Sequence, residues 1–332
     1  MTKTMSRRGF LAAAAGGAMG LAAYHSIRAD PTHVGKALVT ITLDLEMSRN
    51  FPKWEDTHWD YEKGNLDDAA KKYTVGVCRR VKEAGGVAHL FAVGRVFEQP
   101  DVGWLKDLAR DGHPIGNHTY DHVNVLAKKP EDIQFRFRRS PWLIEGRTPE
   151  QVIVENIRLT TAALKSRIGV DPAGFRTPGG FADGLADRPD VRKWIIDLGF
   201  TWVSSKYPAH PMTEPGKEPS EEMLRAIVAV QEKAQPFRYP DGLIEVPMSP
   251  VSDIGAFRNG RWKLDWFLTA IRRALKWAIE NRAVFDFLAH PSCLGVVDPE
   301  FKTVDLILDL VKWADGKAVI VGLDAIAERA PR

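Results

Sequence analysis

Cysteine is almost missing from this chain: Cys78 and Cys293 are the only two in 332 residues. That excludes a small disulfide-stapled scaffold, and also a structural zinc site built from cysteines alone. Past the first two dozen residues, no apolar run approaches the roughly 20 residues needed to span a bilayer. No internal repeat and no long flexible linker divides the sequence. With 44% hydrophobic, 27% charged and 9% aromatic side chains, it is not a disordered, collagen-like or repeat-dominated chain. The length suits one large or two ordinary domains. A formal net charge of +3 and a pI near 8.7 leave a polyanionic partner open until the basic residues are located.

The excess of positive charge sits at one end. Ser6-Arg7-Arg8-Gly9-Phe10-Leu11 leads into an apolar, small-residue stretch over 11–23, followed by cut points after Ala22, Ala23 or Ala29. A basic head, an apolar middle and small residues at the end form the layout of an export signal. The paired arginines resemble the twin-arginine class. At 13 residues the apolar part is too short to span a membrane. The expectation is a signal peptide over 1–29, export through the twin-arginine machinery, and a periplasmic or secreted domain over 30–332. Residues 1–29 carry Lys3, Arg7, Arg8 and Arg28 and no acid. Without them, 42 basic side chains face 43 acidic ones. The basic pI belongs to the leader, and no motif supports a nucleic-acid partner.

Along the remainder, strands alternate with helices. The β-branched run 37–46 reads as a buried first strand. A helix follows, capped by Asn65 and stopped by Gly85-Gly86. Strands are expected at 87–93, from 174, at 201–204, 242–249, 283–288 and 318–321. Helices are expected at 101–110, 189–198, 264–280 and 301–313, with another capped by Ser220. Thr148-Pro149-Glu150-Gln151 combines an N-cap, a first-turn proline and a capping-box glutamine, so it opens a helix running to about residue 168. This alternation predicts a single α/β domain, a barrel or distorted barrel with mainly parallel strands. Such folds gather their chemistry at the C-terminal ends of the strands.

Four polar clusters fall at those ends. Asp44-Leu45-Glu46 closes the first strand, and alternation turns Asp44 and Glu46 to the same side. His118 and His122 stand four apart, close enough within one helical turn to share a metal. Arg176-Thr177-Pro178-Gly179-Gly180 offers a guanidinium that can orient a carboxylate. Leu288-Ala289-His290-Pro291 ends an apolar strand on a histidine able to act as an acid near neutrality.

In this order the clusters resemble the polysaccharide deacetylases, the nodulation-protein-B-like family also called carbohydrate esterase family 4. Residues 87–94 and 111–122 resemble its second strand and its H-[ST]-x-x-H motif. Arg176 to Gly180 resembles R-x-P-x-G, and Leu288-Ala289-His290 resembles L-x-H. The likeness runs from about residue 37 to 326. It implies His118 and His122 as metal ligands, Asp44 as general base, Arg176 as the residue orienting that base, and His290 as general acid. One position departs: the family's first motif has two adjacent aspartates, and here the second is Leu45, which ligates nothing. Glu46 is the substitute ligand, giving a D-x-E motif like that of a divergent branch. Some members of that branch act on peptidoglycan or other polysaccharides, while relatives open cyclic amides. Asp44 as ligand with Glu46 as base is the competing arrangement.

The implied reaction is metal-assisted removal of an N-acetyl group from an amino-sugar polymer or peptidoglycan, with one divalent ion. Zinc is the default, with cobalt, nickel, manganese or iron also compatible. Hydrolysis of a cyclic imide or ureide is the alternative, and a non-catalytic carbohydrate-binding relative a third. Cys293 is expected to pack rather than attack. Trp54, Trp59, Trp142 and Trp262 are candidates for a sugar-binding groove, whereas Trp104, Trp194, Trp266, Trp277 and Trp313 are expected in the core. The proline-rich stretch 208–219 is a candidate cover for the active-site mouth, and Asp253 a candidate substrate contact.

Overall fold

A computed structural model describes residues 33–331; the expected signal peptide lies outside the described residues. The elements follow as β1 (Ala37–Leu45), α1 (Asp68–Glu83), β2 (His89–Ala92), α2 (Gly103–Arg110) and β3 (Ile115–Asn117). Next come α3 (Pro130–Ile133), α4 (Phe135–Arg139), α5 (Pro149–Ile168), β4 (Gly174–Phe181), α6 (Pro189–Asp197) and β5 (Trp202–Lys206). Then α7 (Glu221–Ala229), β6 (Phe237–Arg238), β7 (Ile244–Glu245), α8 (Leu264–Glu280) and β8 (Val284–Ala289). The chain closes with α9 (Pro291–Val297), α10 (Lys302–Trp313), β9 (Ala318–Ile320) and α11 (Leu323–Ala327).

The strands form one sheet in the order β6-β7-β5-β4-β3-β2-β1-β8, with β9 also paired to β1. Every pairing is parallel except β6 with β7. The sheet curls into a half-barrel wrapped by helices, which is the distorted barrel expected from the alternation. Between β8 and the segment after β7 no strand ladder forms. Instead Ser249 N donates to Asp286 O (3.1 Å), and Asp286 N donates to Ser249 Oγ (3.1 Å). Gln235 donates to Val284 O (3.1 Å) and accepts from Val284 N (2.8 Å). Side chains thus satisfy an edge that a longer strand would have covered. The strand expected over 242–249 shrinks accordingly to Ile244–Glu245.

Strand periodicity sorts the side chains. Along β1 the odd positions Val39, Ile41, Leu43 and Leu45 join the core under α1, α8 and α10. The even positions face the barrel. Its floor is apolar, with Leu38, Phe91, Trp202 and Val284 packed on Leu323 and Ile326 of α11. Two glycines make room for this filling: a Cβ on Gly116 would lie 2.5 Å from the Phe91 ring, and one on Gly174 would lie 1.9 Å from Trp202. Above the floor is a polar layer of Thr42, Arg176, Ser204 and Asp286, all 0% exposed. Above that open the strand ends. On the far side of β4 and β5, Phe175 and Val203 pack under α5 and α6.

The capping box at Thr148 and Gln151 forms as expected, and α5 ends at Gly169 in the left-handed region. The cap of α1 is Asp67, which accepts from Ala70 N (2.7 Å), rather than Asn65. Asn65 is two residues early and is engaged instead by Gln99.

Candidate functional site

Asp44, Glu46, His118, His122 and His290 line one cleft of about 550 Å³ at the C-terminal mouth of the barrel. Asp44 and Thr42 are inward residues of β1, and Arg176 and Asp286 are inward residues of β4 and β8. His290 follows β8 by one residue and keeps the same side. The five polar residues singled out at strand ends, with Arg176, are therefore brought together.

His118 leaves β3 with its Nδ1 3.0 Å from Arg176 O. A carbonyl only accepts, so Nδ1 carries the proton and Nε2 turns its lone pair to the cleft. Burial pushes the His118 pKa down to about 4 against the pull of Asp44, leaving a neutral imidazole suited to a metal. The connection to His122 is not the helical turn expected from the four-residue spacing. Thr119 (φ 59°) and His122 (φ 58°) are both left-handed. The bend is held by Thr119 N donating to Asn117 Oδ1 (2.9 Å), Asp121 N to Asn156 Oδ1 (2.8 Å) and Val123 N to Thr119 Oγ1 (3.0 Å). The two imidazole centroids end 5.1 Å apart.

Glu46 lies just past the end of β1, where its N–H turns back onto Asp44 O (2.9 Å). Its longer side chain compensates for standing two residues beyond Asp44. Glu46 Oε2 comes within 2.7 Å of His122 Nε2 and 3.0 Å of Lys63 Nζ. Burial raises the Glu46 pKa, but His122, Lys63 and His290 outweigh it and hold the carboxyl well below its usual range. One ligand atom each from Glu46, His118 and His122 fall within 4.8 Å of one another. A carboxylate oxygen and two imidazole nitrogens at that spacing fit a divalent ion with open positions. Glu46 Oε2 is buried between His122 and Lys63.

Asp44 is engaged differently. Its Oδ1 accepts from Arg176 Nη1 (3.2 Å), while Oδ2 faces His118 Nε2 at 3.7 Å and His290 Nε2 at 3.9 Å. Arg176 is fully buried over the Phe91 ring, 4.4 Å from its centroid. It also donates to Thr42 Oγ1 (2.7 Å), Ser204 Oγ (3.2 Å) and Asp286 Oδ2 (2.5 Å). Burial lifts the Asp286 pKa to about 6 despite Arg176 and the Thr42 hydroxyl. His290 is gripped by Asp253: the backbone N donates to Oδ2 (2.7 Å) and Nδ1 to Oδ1 (2.9 Å). Burial pulls the His290 pKa down, yet Asp253, Glu46 and Asp44 prevail and raise it.

Several expectations change. Asp253 is completely buried and holds His290 instead of meeting substrate. None of Trp54, Trp59, Trp142 or Trp262 lines the cleft, whose aromatic walls are Phe135 and Tyr207. Trp54 and Trp142 project from the surface. Trp262 is buried, its indole N–H on Thr213 Oγ1 (2.7 Å). Trp313 is 67% exposed rather than in the core. The 208–219 stretch supplies no lining residue; it bonds to the 260–262 turn through Thr213 and Gly216. Cys293 is buried, and burial pushes its thiol pKa well up, as befits a packing residue. Sequence reasoning missed Lys63, the hold of Asp253 on His290, and Asp286. The last had a signal, since it shares the inward face of β8 with His290. The other two come from irregular segments with no periodicity to place them.

Residues 65–201 match the family model described as Polysaccharide deacetylase. A chitooligosaccharide deacetylase of Azorhizobium caulinodans is 32% identical over 73 residues, which are 22% of this chain and 34% of that protein. The chain therefore matches about a third of that relative's length. A Mycobacterium smegmatis structure assigned as a polysaccharide deacetylase superposes with a TM-score of 0.56 at 18% identity, covering 89% of this chain and 90% of the other. One from Pseudomonas aeruginosa PAO1, assigned likewise, gives 0.61 at 13% identity, covering 88% and 90%. The PuuE allantoinase structure gives 0.59 at 13% identity, covering 92% and 95%. At these identities the structures speak for the fold alone. Over residues 65–201 the sequence thus resembles the polysaccharide deacetylase family, and the described residues share the half-barrel fold of those structures.

Proposed function

We propose that this chain is a metal-dependent hydrolase that removes N-acetyl groups from an amino-sugar polymer outside the cytoplasm. The observation carrying the reading is the convergence of Glu46, His118 and His122 within 4.8 Å, beside a carboxylate fixed by an arginine and a histidine fixed by an aspartate. A divalent ion, zinc by default, held by those three side chains would polarise the amide carbonyl and acidify a water molecule. Asp44 takes the proton of the attacking water, and Arg176 keeps that carboxylate turned to the cleft. His290 delivers a proton to the departing amine from Nε2, because Asp253 occupies Nδ1. Glu46 as ligand and Asp44 as base is favoured over the reverse because Arg176 engages an Asp44 oxygen, while Glu46 Oε2 approaches His122 to 2.7 Å. The proposal takes residues 1–29 as a twin-arginine-type leader, consistent with their concentration of basic charge and a nearly neutral remainder.

The test is acetate release from N-acetylglucosamine oligomers by the zinc-loaded protein, with His118→Ala as the inactive control. Ring opening of a cyclic imide or ureide is measured in parallel. Acetate release that disappears in His118→Ala supports the reading; ring opening without acetate release rejects it.

A further inference from the structure

The cleft holds one cation more than its own chemistry uses. Arg49 pairs with Asp60 (3.3 Å) and Lys63 with Glu46 (3.0 Å). Arg258, from the π-helical turn Ile254–Asn259 that begins beside Asp253, also lines the cleft. Its Nε donates to Asn259 Oδ1 (3.2 Å), and among the described residues no carboxylate forms an ion pair with it. Nor is it needed to neutralise the catalytic acids. Asp44 has Arg176, Glu46 has Lys63, and Asp253 has His290. The one cleft acid without such a partner, Asp132, is exposed to solvent at the rim. A divalent ion at Glu46, His118 and His122 would add further positive charge beside it.

Accepting the hydrolase reading above, we propose that Arg258 binds a carboxylate on the substrate, so that the preferred acetamide is one carrying an acid group near the scissile bond. A partly buried guanidinium without an ion-pair partner forgoes hydration that its hydrogen bond to Asn259 only partly replaces until an anion arrives. Burial pushes the Arg258 pKa down, against the opposing field of Glu46. The free face of its planar fork suits a two-pronged carboxylate contact. Such a group is available from two sources, a carboxylated amino sugar within a polymer or a small N-acyl amino acid.

The test compares kcat/KM for three acetamides: a neutral N-acetylglucosamine oligomer, its counterpart bearing a lactyl ether carboxylate, and an N-acetyl amino acid. Zinc-loaded wild type should prefer a carboxylated substrate, and which of the two it prefers assigns the source. In Arg258→Gln the charged-to-neutral ratio should fall by about 10- to 100-fold, the weight of a charge-assisted hydrogen bond. Arg258→Lys, which keeps the charge without the fork, should fall between. Thermal melting of both variants controls for misfolding. If neutral and carboxylated acetamides are hydrolysed alike, or the ratio survives in Arg258→Gln, the carboxylate assignment is wrong while the deacetylase reading stands. If no acetamide is hydrolysed, both fall together.

Discussion

Replacing Arg176 by methionine would strand two carboxylates inside the barrel. Arg176 is fully buried and donates to both Asp44 and Asp286, as well as to Thr42 and Ser204. Methionine can still lie on the Phe91 ring, so most of the loss is electrostatic. Removing one partner from a buried ion pair costs about 3–5 kcal/mol, because the other charge stays behind without compensation. The cost should depend on pH in a definite direction. Burial raises the Asp286 pKa to about 6, above the roughly 3.9 of an unfolded aspartate. The folded state thus holds this proton more tightly than the unfolded chain does. The group's contribution is most favourable below pH about 3.9, declines as pH rises to about 6, and is constant above. Without Arg176 the main force opposing burial is gone and the upper edge moves higher, so Arg176→Met should be penalised more at pH 8 than at pH 5. Urea unfolding followed by tryptophan fluorescence at both pH values measures this. Adding Asp286→Leu removes one of the stranded charges and should recover at least half of the lost stability, while activity stays abolished. A loss below about 1 kcal/mol at pH 8, or one independent of pH, would refute this account of the polar layer.

Other outcomes follow from the same geometry. Asp253→Asn should lower kcat by about 10-fold or more and move the alkaline limb of the pH–rate profile to lower pH, since the charge that raises the His290 pKa is gone; an unmoved limb would separate His290 from proton delivery. Cys293→Ala should keep its activity and lose about 1–2 kcal/mol of stability, the usual toll of a small core truncation, read from turnover and melting. Gly174→Ala should be destabilised by at least about 1–3 kcal/mol through overpacking, since its Cβ would fall 1.9 Å from the buried Trp202 ring; unfolding midpoints decide. Glu46→Gln should lose most of its zinc affinity in a competition titration while remaining folded.

The residues legible in the sequence were those that strand periodicity governs. Asp44, Arg176 and His290 lie on the inward side of β1, β4 and β8 or directly after it, and a period of two suffices to aim them. The capping box that opens α5 was legible because its pattern is local. What escaped depends on contacts across long sequence separations. Asp253 meets His290 over 37 residues, and Lys63 reaches Glu46 from a loop. The His118–His122 bend is set by Asn117 and Asn156 rather than by its own spacing. Tryptophans in loops were read as sugar contacts, but loop membership does not say whether a ring faces the cleft, the core or solvent. The long strand expected over 242–249 failed because Ser249 and Gln235 side chains bond to β8 where a ladder would have formed.

Under the proposed function, Glu46 takes the ligand place that Leu45 cannot fill, while Asp44 stays free to act as base. Anomalous diffraction at the zinc edge from crystals of the zinc-loaded protein tests this most directly. A single peak is expected about 2.0–2.2 Å from one Glu46 oxygen and from Nε2 of His118 and His122, with Asp44 outside the shell and still on Arg176. A peak with Asp44 inside the shell and Glu46 outside it, or no peak in this cleft, would contradict it.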